Sequence, residues 1–208
     1  MREKEPATRI VFVRHGMTDF PKDRIYCDER EDPVLNDTGR HQAQEAAELL
    51  RERPLDVIYT SPLARTQGTA EAISQAARVP LRVEPGLKER GFGIWDGLYF
   101  EDIQERYPQD YTKWKQDPAA FKPERGESVY DLLARVRGVV RGILDEHAGK
   151  HVVVVSHVGP IRALICDAIK LPVEGYRQLT IDHGSLTCID YGSRQNNLVF
   201  LNYTPLRD

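Results

Sequence analysis

Two short runs of apolar, β-branched residues end in the same way. They constrain the fold more than any other feature of the chain. Ile10-Val11-Phe12-Val13 stops at Arg14-His15-Gly16, and Val152-Val153-Val154-Val155 stops at Ser156-His157-Val158-Gly159. An apolar run of this length without polar alternation reads as a strand covered on both faces. Strands of that kind belong to a mostly parallel sheet with helices on either side. Ligands of such sheets bind beyond the carboxyl ends of the strands. His15 and His157 are therefore both placed where chemistry is done.

The rest of the pattern agrees. Thr38 is expected to open a helix with Ala43, Ala46, Ala47 and Leu50 on its inner stripe. Leu55 to Tyr59 reads as a second buried strand, followed by a helix at Ser61-Pro62, with Ser61 as its cap and Pro62 in its first turn. Leu81 to Val83 is a weak strand. From Ser128, a second capping residue, a long helix is expected with Val129, Leu132, Leu133, Val136, Val139, Val140, Ile143 and Leu144 on one stripe. Pro160 is expected to start a helix after the second histidine. Ser185 to Tyr191 and Leu198 to Tyr203 read as two closing strands around a turn at Gly192. Between them, Lys88 to Phe121 holds eight of the chain's 17 aromatic residues, interrupted by Pro108 and Pro118. It is expected to form short helices packed over the sheet.

The 208 residues suffice for one large domain. A folded chain of this size buries roughly 70% of its unfolded surface and needs no disulfide or metal staple. Lys and Arg number 29 against 32 Asp and Glu, and no basic run is present, which speaks against a nucleic-acid partner. No apolar stretch approaches a membrane span. Cys27, Cys166 and Cys188 are too widely spaced for a Cys-x-x-Cys pair, and a reduced, cytoplasmic protein is expected.

Three more segments follow the first two motifs. Ser61-Pro62-Leu63-Ala64-Arg65-Thr66-Gln67-Gly68-Thr69-Ala70 puts Arg65 in the first turn of a helix, where the backbone already favours an anion. Leu87-Lys88-Glu89-Arg90-Gly91-Phe92-Gly93-Ile94-Trp95-Asp96-Gly97 carries a carboxylate, and Gly126-Glu127-Ser128 opens the long helix. With Arg14-His15-Gly16 and Val155-Ser156-His157, these five segments in this order resemble the histidine phosphatase superfamily, in its phosphoglycerate mutase-like branch, over nearly the whole chain.

The resemblance implies an α/β three-layer sandwich: a mostly parallel central sheet flanked by helices, with a small helical lid at about 88–127, all in one domain over 1–208. It implies His15 as a nucleophile that forms a phosphohistidine, and Glu89 as general acid and base. Arg14, Arg65 and His157 would hold the phosphoryl oxygens. Thr18, Arg24, Tyr26, Arg90 and Val158 are the expected substrate-binding residues. The expected partner is a small phosphorylated metabolite; no cofactor or metal is implied, and a homodimer is compatible.

Trp95-Asp96-Gly97-Leu98-Tyr99-Phe100 lacks the lysine pattern of the family's mutases, and the passage from Phe121 to Gly126 is short. Both features point to a phosphatase, with a cofactor-dependent phosphoglycerate mutase and a non-catalytic phosphate-binding regulator as alternatives. Asp32-Pro33-Val34-Leu35 and Tyr107 to Trp114 are similar to the metal-independent phosphoserine phosphatases of the family. Pro21, Tyr26 and Cys27 depart from the family pattern on the loop expected to touch substrate. Cys188 to Arg194 fits the Cys-x5-Arg spacing of cysteine phosphatases, but Asp190 within it opposes an anion cradle. The six histidines show no metal-ligand spacing.

Overall fold

A computed structural model describes residues 6–21, 24–25 and 31–205. Six strands form one sheet: β1 (Thr8–Arg14), β2 (Val57–Thr60), β3 (Leu81–Val83), β4 (His151–Ser156), β5 (Leu186–Tyr191) and β6 (Asn196–Tyr203). Their spatial order is β3-β2-β4-β1-β5-β6. The first four run parallel, and β5 and β6 close the sheet antiparallel.

The two apolar runs pair directly, with Ile10 opposite Val152 and Val13 opposite Val155. Alternate side chains then feed two separate cores. Ile10, Phe12, Val152 and Val154 pack on one face, under α5 (Val129–Glu146) and α6 (Val158–Ala168). Val11, Val13, Val153 and Val155 pack on the other, under α1 (Asp37–Arg51) and α2 (Ala64–Ala77). Burial on both faces is why neither run alternates with polar residues, and each such side chain stabilises the fold by about 1.5–3 kcal/mol.

The helix starts show where local sequence suffices and where it does not. Ser128 caps α5 as expected, in a reciprocal box with Asp131. Helix α1 begins one residue earlier than expected, with Asn36 accepting from the Gly39 N–H. Helix α2 begins at Ala64, and Ser61 is not its cap. Its first N–H, at Ala64, instead donates to the Asp32 carboxylate at 2.9 Å, a group brought in from another loop. Helix α6 starts at Val158, so Pro160 lies inside its first turn.

The short helices expected within residues 88–121 are present as α3 (Phe100–Arg106) and α4 (Pro108–Gln116), and they lie at the carboxyl ends of the strands rather than over a face of the sheet. They have a small core of their own, made of Trp95, Ile103 and Phe121 with Ile25, against which Trp114 and Tyr111 pack. Both ends of this lid are tied to α5. Arg135 donates to the Gly86, Lys88 and Glu89 carbonyls and pairs with Glu127 at 2.6 Å, while Glu127 also accepts from the Gly91 N–H. Burial works against the charge on Glu127, but Arg135 and the Gly91 N–H outweigh it and hold the carboxyl below its usual range.

Candidate active site

His15 follows the last residue of β1 and is 4% exposed. Its backbone N–H donates to the Ser156 carbonyl, so the two strand ends are locked side by side. The loop beyond it lies hard against the start of α1. A Cβ on Gly39 would overlap the Met17 carbonyl oxygen, and one on Gly16 would overlap the Gly39 carbonyl oxygen. Nδ1 of His15 lies 2.8 Å from its neighbour's carbonyl oxygen, at Gly16. A carbonyl only accepts, so Nδ1 carries the proton and Nε2 keeps a lone pair. Burial, then the Arg65 and Arg14 guanidiniums, push the His15 pKa well down and keep the ring neutral.

His157 is fully buried at the N-terminus of α6, with its ring centroid 5.2 Å from that of His15. Ser61, freed from capping, places its hydroxyl 2.9 Å from Nε2 of His157. That hydroxyl oxygen also accepts from the Leu63 N–H and lies 3.0 Å from the Thr66 hydroxyl. Nδ1 of His157 is a buried atom with no hydrogen-bond partner among the described residues. Such an atom, when it carries the ring proton, suits a ligand oxygen. Burial and the two arginines also lower the His157 pKa far below its usual value.

Arg65 is 1% exposed, in the first turn of α2, with Asp32 at 3.6 Å. Arg14 donates to the Ile181 carbonyl at 2.6 Å and to Nε2 of His183 at 2.8 Å. His183 also stacks obliquely on His15, with centroids 5.4 Å apart. Sequence reasoning missed His183. The available signal was its place just before β5, the strand that pairs with β1. Glu89 reaches the same place from the lid: its carboxylate accepts from the N–H of Arg90 at 2.7 Å and of Gly159 at 3.2 Å.

Arg14, His15, Arg65 and Glu89 all line one cavity of 290 Å³ between the strand ends and the lid. Of the expected substrate-binding residues, Arg24, Arg90 and Val158 line it too. Arg24 is held by Glu31 and the Gly97 carbonyl. Arg90 is 4% exposed, and its guanidinium donates to the Glu127 and Phe121 carbonyls, so it braces the lid. Thr18 is not among the lining residues; it bridges to Leu35 within the loop. Tyr26 and Cys27 lie outside the described residues.

Cys188 is no nucleophile. It is buried in the middle of β5, and burial pushes its thiol up to about 11. Asp190 of the same segment is paired with Arg9 at 2.7 Å. Among the described residues no group of three or more His, Cys, Asp or Glu side chains is arranged to hold a metal ion. Nor is any helix there long and apolar enough to cross a membrane.

Sheet, strand-end histidines, paired arginines and lid carboxylate define a class, and comparison with known proteins agrees with it. The profile of the histidine phosphatase superfamily (branch 1) matches residues 10–204, and the chain belongs to that family. It is 32% identical over 196 residues to phosphoserine phosphatase 1 of Hydrogenobacter thermophilus, covering 94% of this chain and 92% of the relative. It is 28% identical over 194 residues to the adenosylcobalamin/alpha-ribazole phosphatase of Escherichia coli, covering 93% of this chain and 95% of that one. The solved structure of mycobacterial glucosyl-3-phosphoglycerate phosphatase superposes with a TM-score of 0.84 at 30% identity, over 95% of this chain and 100% of that one.

Proposed function

We propose that this chain is a metal-independent phosphomonoesterase that hydrolyses a small phosphorylated metabolite through a phosphohistidine at His15. The observation that carries the reading is the state of His15: neutral, buried, its proton fixed on Nδ1 by Gly16, and flanked by Arg14 and Arg65. Nε2 attacks phosphorus, and the bond from phosphorus to the ester oxygen breaks. Arg14, Arg65 and His157 stabilise charge on the phosphoryl oxygens; such positioning and charge stabilisation carry most of phosphoryl-transfer catalysis. Glu89 gives a proton to the departing alkoxide. It then takes one from the water that attacks the phosphohistidine, so phosphate leaves and both side chains return to their starting states.

The relatives are named as phosphatases of phosphoserine, alpha-ribazole phosphate and glucosyl-3-phosphoglycerate, which supports a small phosphate ester as substrate. The free, buried Cys166 and Cys188 support a reducing, cytoplasmic setting. The test is hydrolysis of a panel of phosphomonoesters with chelator present, beside an assay for isomerisation of 3-phosphoglycerate. Turnover that survives chelation and leaves a transient phosphoryl group on His15 is expected. Isomerisation faster than any hydrolysis, or loss of activity on chelation, overturns the reading.

A further inference from the structure

Among the described residues, six arginines and a single glutamate are the charged residues that line the cavity. Four of the arginines are accounted for. Arg14 and Arg65 stand beside His15 and match the two charges of a phosphoryl group, Arg90 braces the lid, and Arg24 is tied to Glu31 and Gly97. Arg162 and Arg177 remain.

Arg162 lies on α6 at i+3 and i+4 from Gly159 and Val158, which line the cavity with it. It follows His157 by five residues, about 7.5 Å along the helix axis. Side chains on a helix lean toward its N-terminus, here toward the phosphoryl end. Its Nε donates to the Leu179 carbonyl at 2.7 Å, and it has no ion-pair partner among the described residues. It is half-buried; burial and then Arg177 pull its pKa down, Tyr176 and Glu89 act the other way, and no carboxylate is paired with it among the described residues. Arg177 projects from the turn Val173–Gln178, with its guanidinium 5.6 Å from the centre of the Trp114 ring on the lid. It too has no carboxylate in contact among the described residues. Two neighbouring guanidiniums repel each other, and an anion between them relieves both.

We infer that Arg162 and Arg177 form a second anion subsite, and that the preferred substrate is a phosphomonoester whose organic part carries a carboxylate. This rests on the phosphatase reading above and names its substrate class. The phosphoryl group enters between Arg14 and Arg65, the carboxylate lies toward Arg162 and Arg177, and Trp114 covers the chain between them.

The test pairs two ligands that share a three-carbon skeleton: 3-phosphoglycerate, with a carboxylate, and glycerol 3-phosphate, with a hydroxymethyl group in its place. Their dissociation constants are measured by titration calorimetry on the full chain carrying His15→Ala, which prevents turnover. Tighter binding of 3-phosphoglycerate by about tenfold or more is expected, as for a charge-assisted hydrogen bond. Adding Arg177→Gln or Arg162→Gln should bring the ratio toward one, and Arg177→Lys should keep most of it. A ratio below about two in the parent overturns the inference, as does a ratio unchanged in both glutamine variants. Because Arg162 also holds Leu179, Arg177→Gln decides alone if the Arg162 variant does not fold. Turnover of both esters is measured on the wild-type chain. If it hydrolyses neither of these nor any other ester of the panel, the phosphatase reading fails, while the binding ratio still reports the subsite.

Discussion

The cavity has two walls built on different principles. The phosphoryl wall stands on strand ends and helix starts: His15 after β1 and Arg65 in the first turn of α2 line it, and His157 at the head of α6 stands beside His15 without lining the cavity. Each of these side chains is less than a twentieth exposed. The lid wall has a small aromatic core of its own, is braced internally by Arg90, and is tied to α5 through Glu127 and Arg135. The first wall inherits its geometry from the sheet, and the second can be altered without disturbing the first. Chemistry on the rigid part and selection on the connecting segment is the division expected when loops vary on a fixed scaffold.

The strongest way to break this comparison is to remove one functional group from each wall. His15→Ala should abolish turnover of every ester, by at least ~10³-fold in kcat/KM, and leave no phosphoenzyme. Trp114→Ala on the lid should lower kcat/KM by about tenfold, by an amount that varies with the ester. Steady-state kinetics over a panel reads both. If the His15 loss varied with the ester and the Trp114 loss did not, the division would be wrong.

Glu89 belongs to the lid segment but acts at the phosphoryl wall, so it tests the boundary. Glu89→Gln should cost ~10²–10⁴-fold with alkyl phosphates, whose alkoxide must be protonated as it leaves. With p-nitrophenyl phosphate the departing phenolate needs no proton, and the loss in phosphohistidine formation should be small. Rapid-quench measurement of that step separates the two. Gly159→Ala should imitate the alkyl-ester defect, because a Cβ there would overlap the Glu89 carboxylate.

The tie between the walls has its own prediction. Glu127→Ala leaves Arg135 half-buried without its carboxylate and the Gly91 N–H without its acceptor. A loss of about 1–3 kcal/mol is expected in urea unfolding. Hydrogen exchange should rise in residues 91–121 before it rises in the sheet. Uniform loss across both regions would mean that the lid and the sheet unfold as one unit.

What the sequence made legible follows the same division. The strand runs, both histidines, Arg65 and the Ser128 cap were readable because each depends on neighbours a few residues away. Ser61 was read as a helix cap because its sequence neighbours suit one; its actual partner, His157, is 96 residues distant. Asp32, which caps α2 and faces Arg65, and His183, which holds Arg14, are likewise set by contacts between loops. The lid's aromatics announced apolar packing, but not that they would form a separate core at the strand ends. Arg90 shows the same limit: beside Glu89 in sequence it resembles a substrate residue, yet its guanidinium is spent on two carbonyls.

The smallest expected effect is a pH dependence of stability that comes from one wall only. His15 and His157 have pKa values well below the ordinary 6.5 in the folded protein, chiefly through burial and secondarily through Arg65. In the unfolded chain they titrate near 6.5. Between the folded and unfolded pKa values the unfolded state therefore binds more protons, and stability rises with pH. Above about 6.5 both states are neutral and these two histidines contribute no slope. On going from pH 6 to pH 5, each should remove about 1 kcal/mol, read as a fall in urea midpoint. His15→Asn should halve that fall and His15→Asn with His157→Asn should nearly abolish it, whereas Trp114→Ala should leave it in place. A saturating phosphate ester should flatten the same slope, because a bound dianion favours the protonated rings and draws their folded pKa values back toward 6.5.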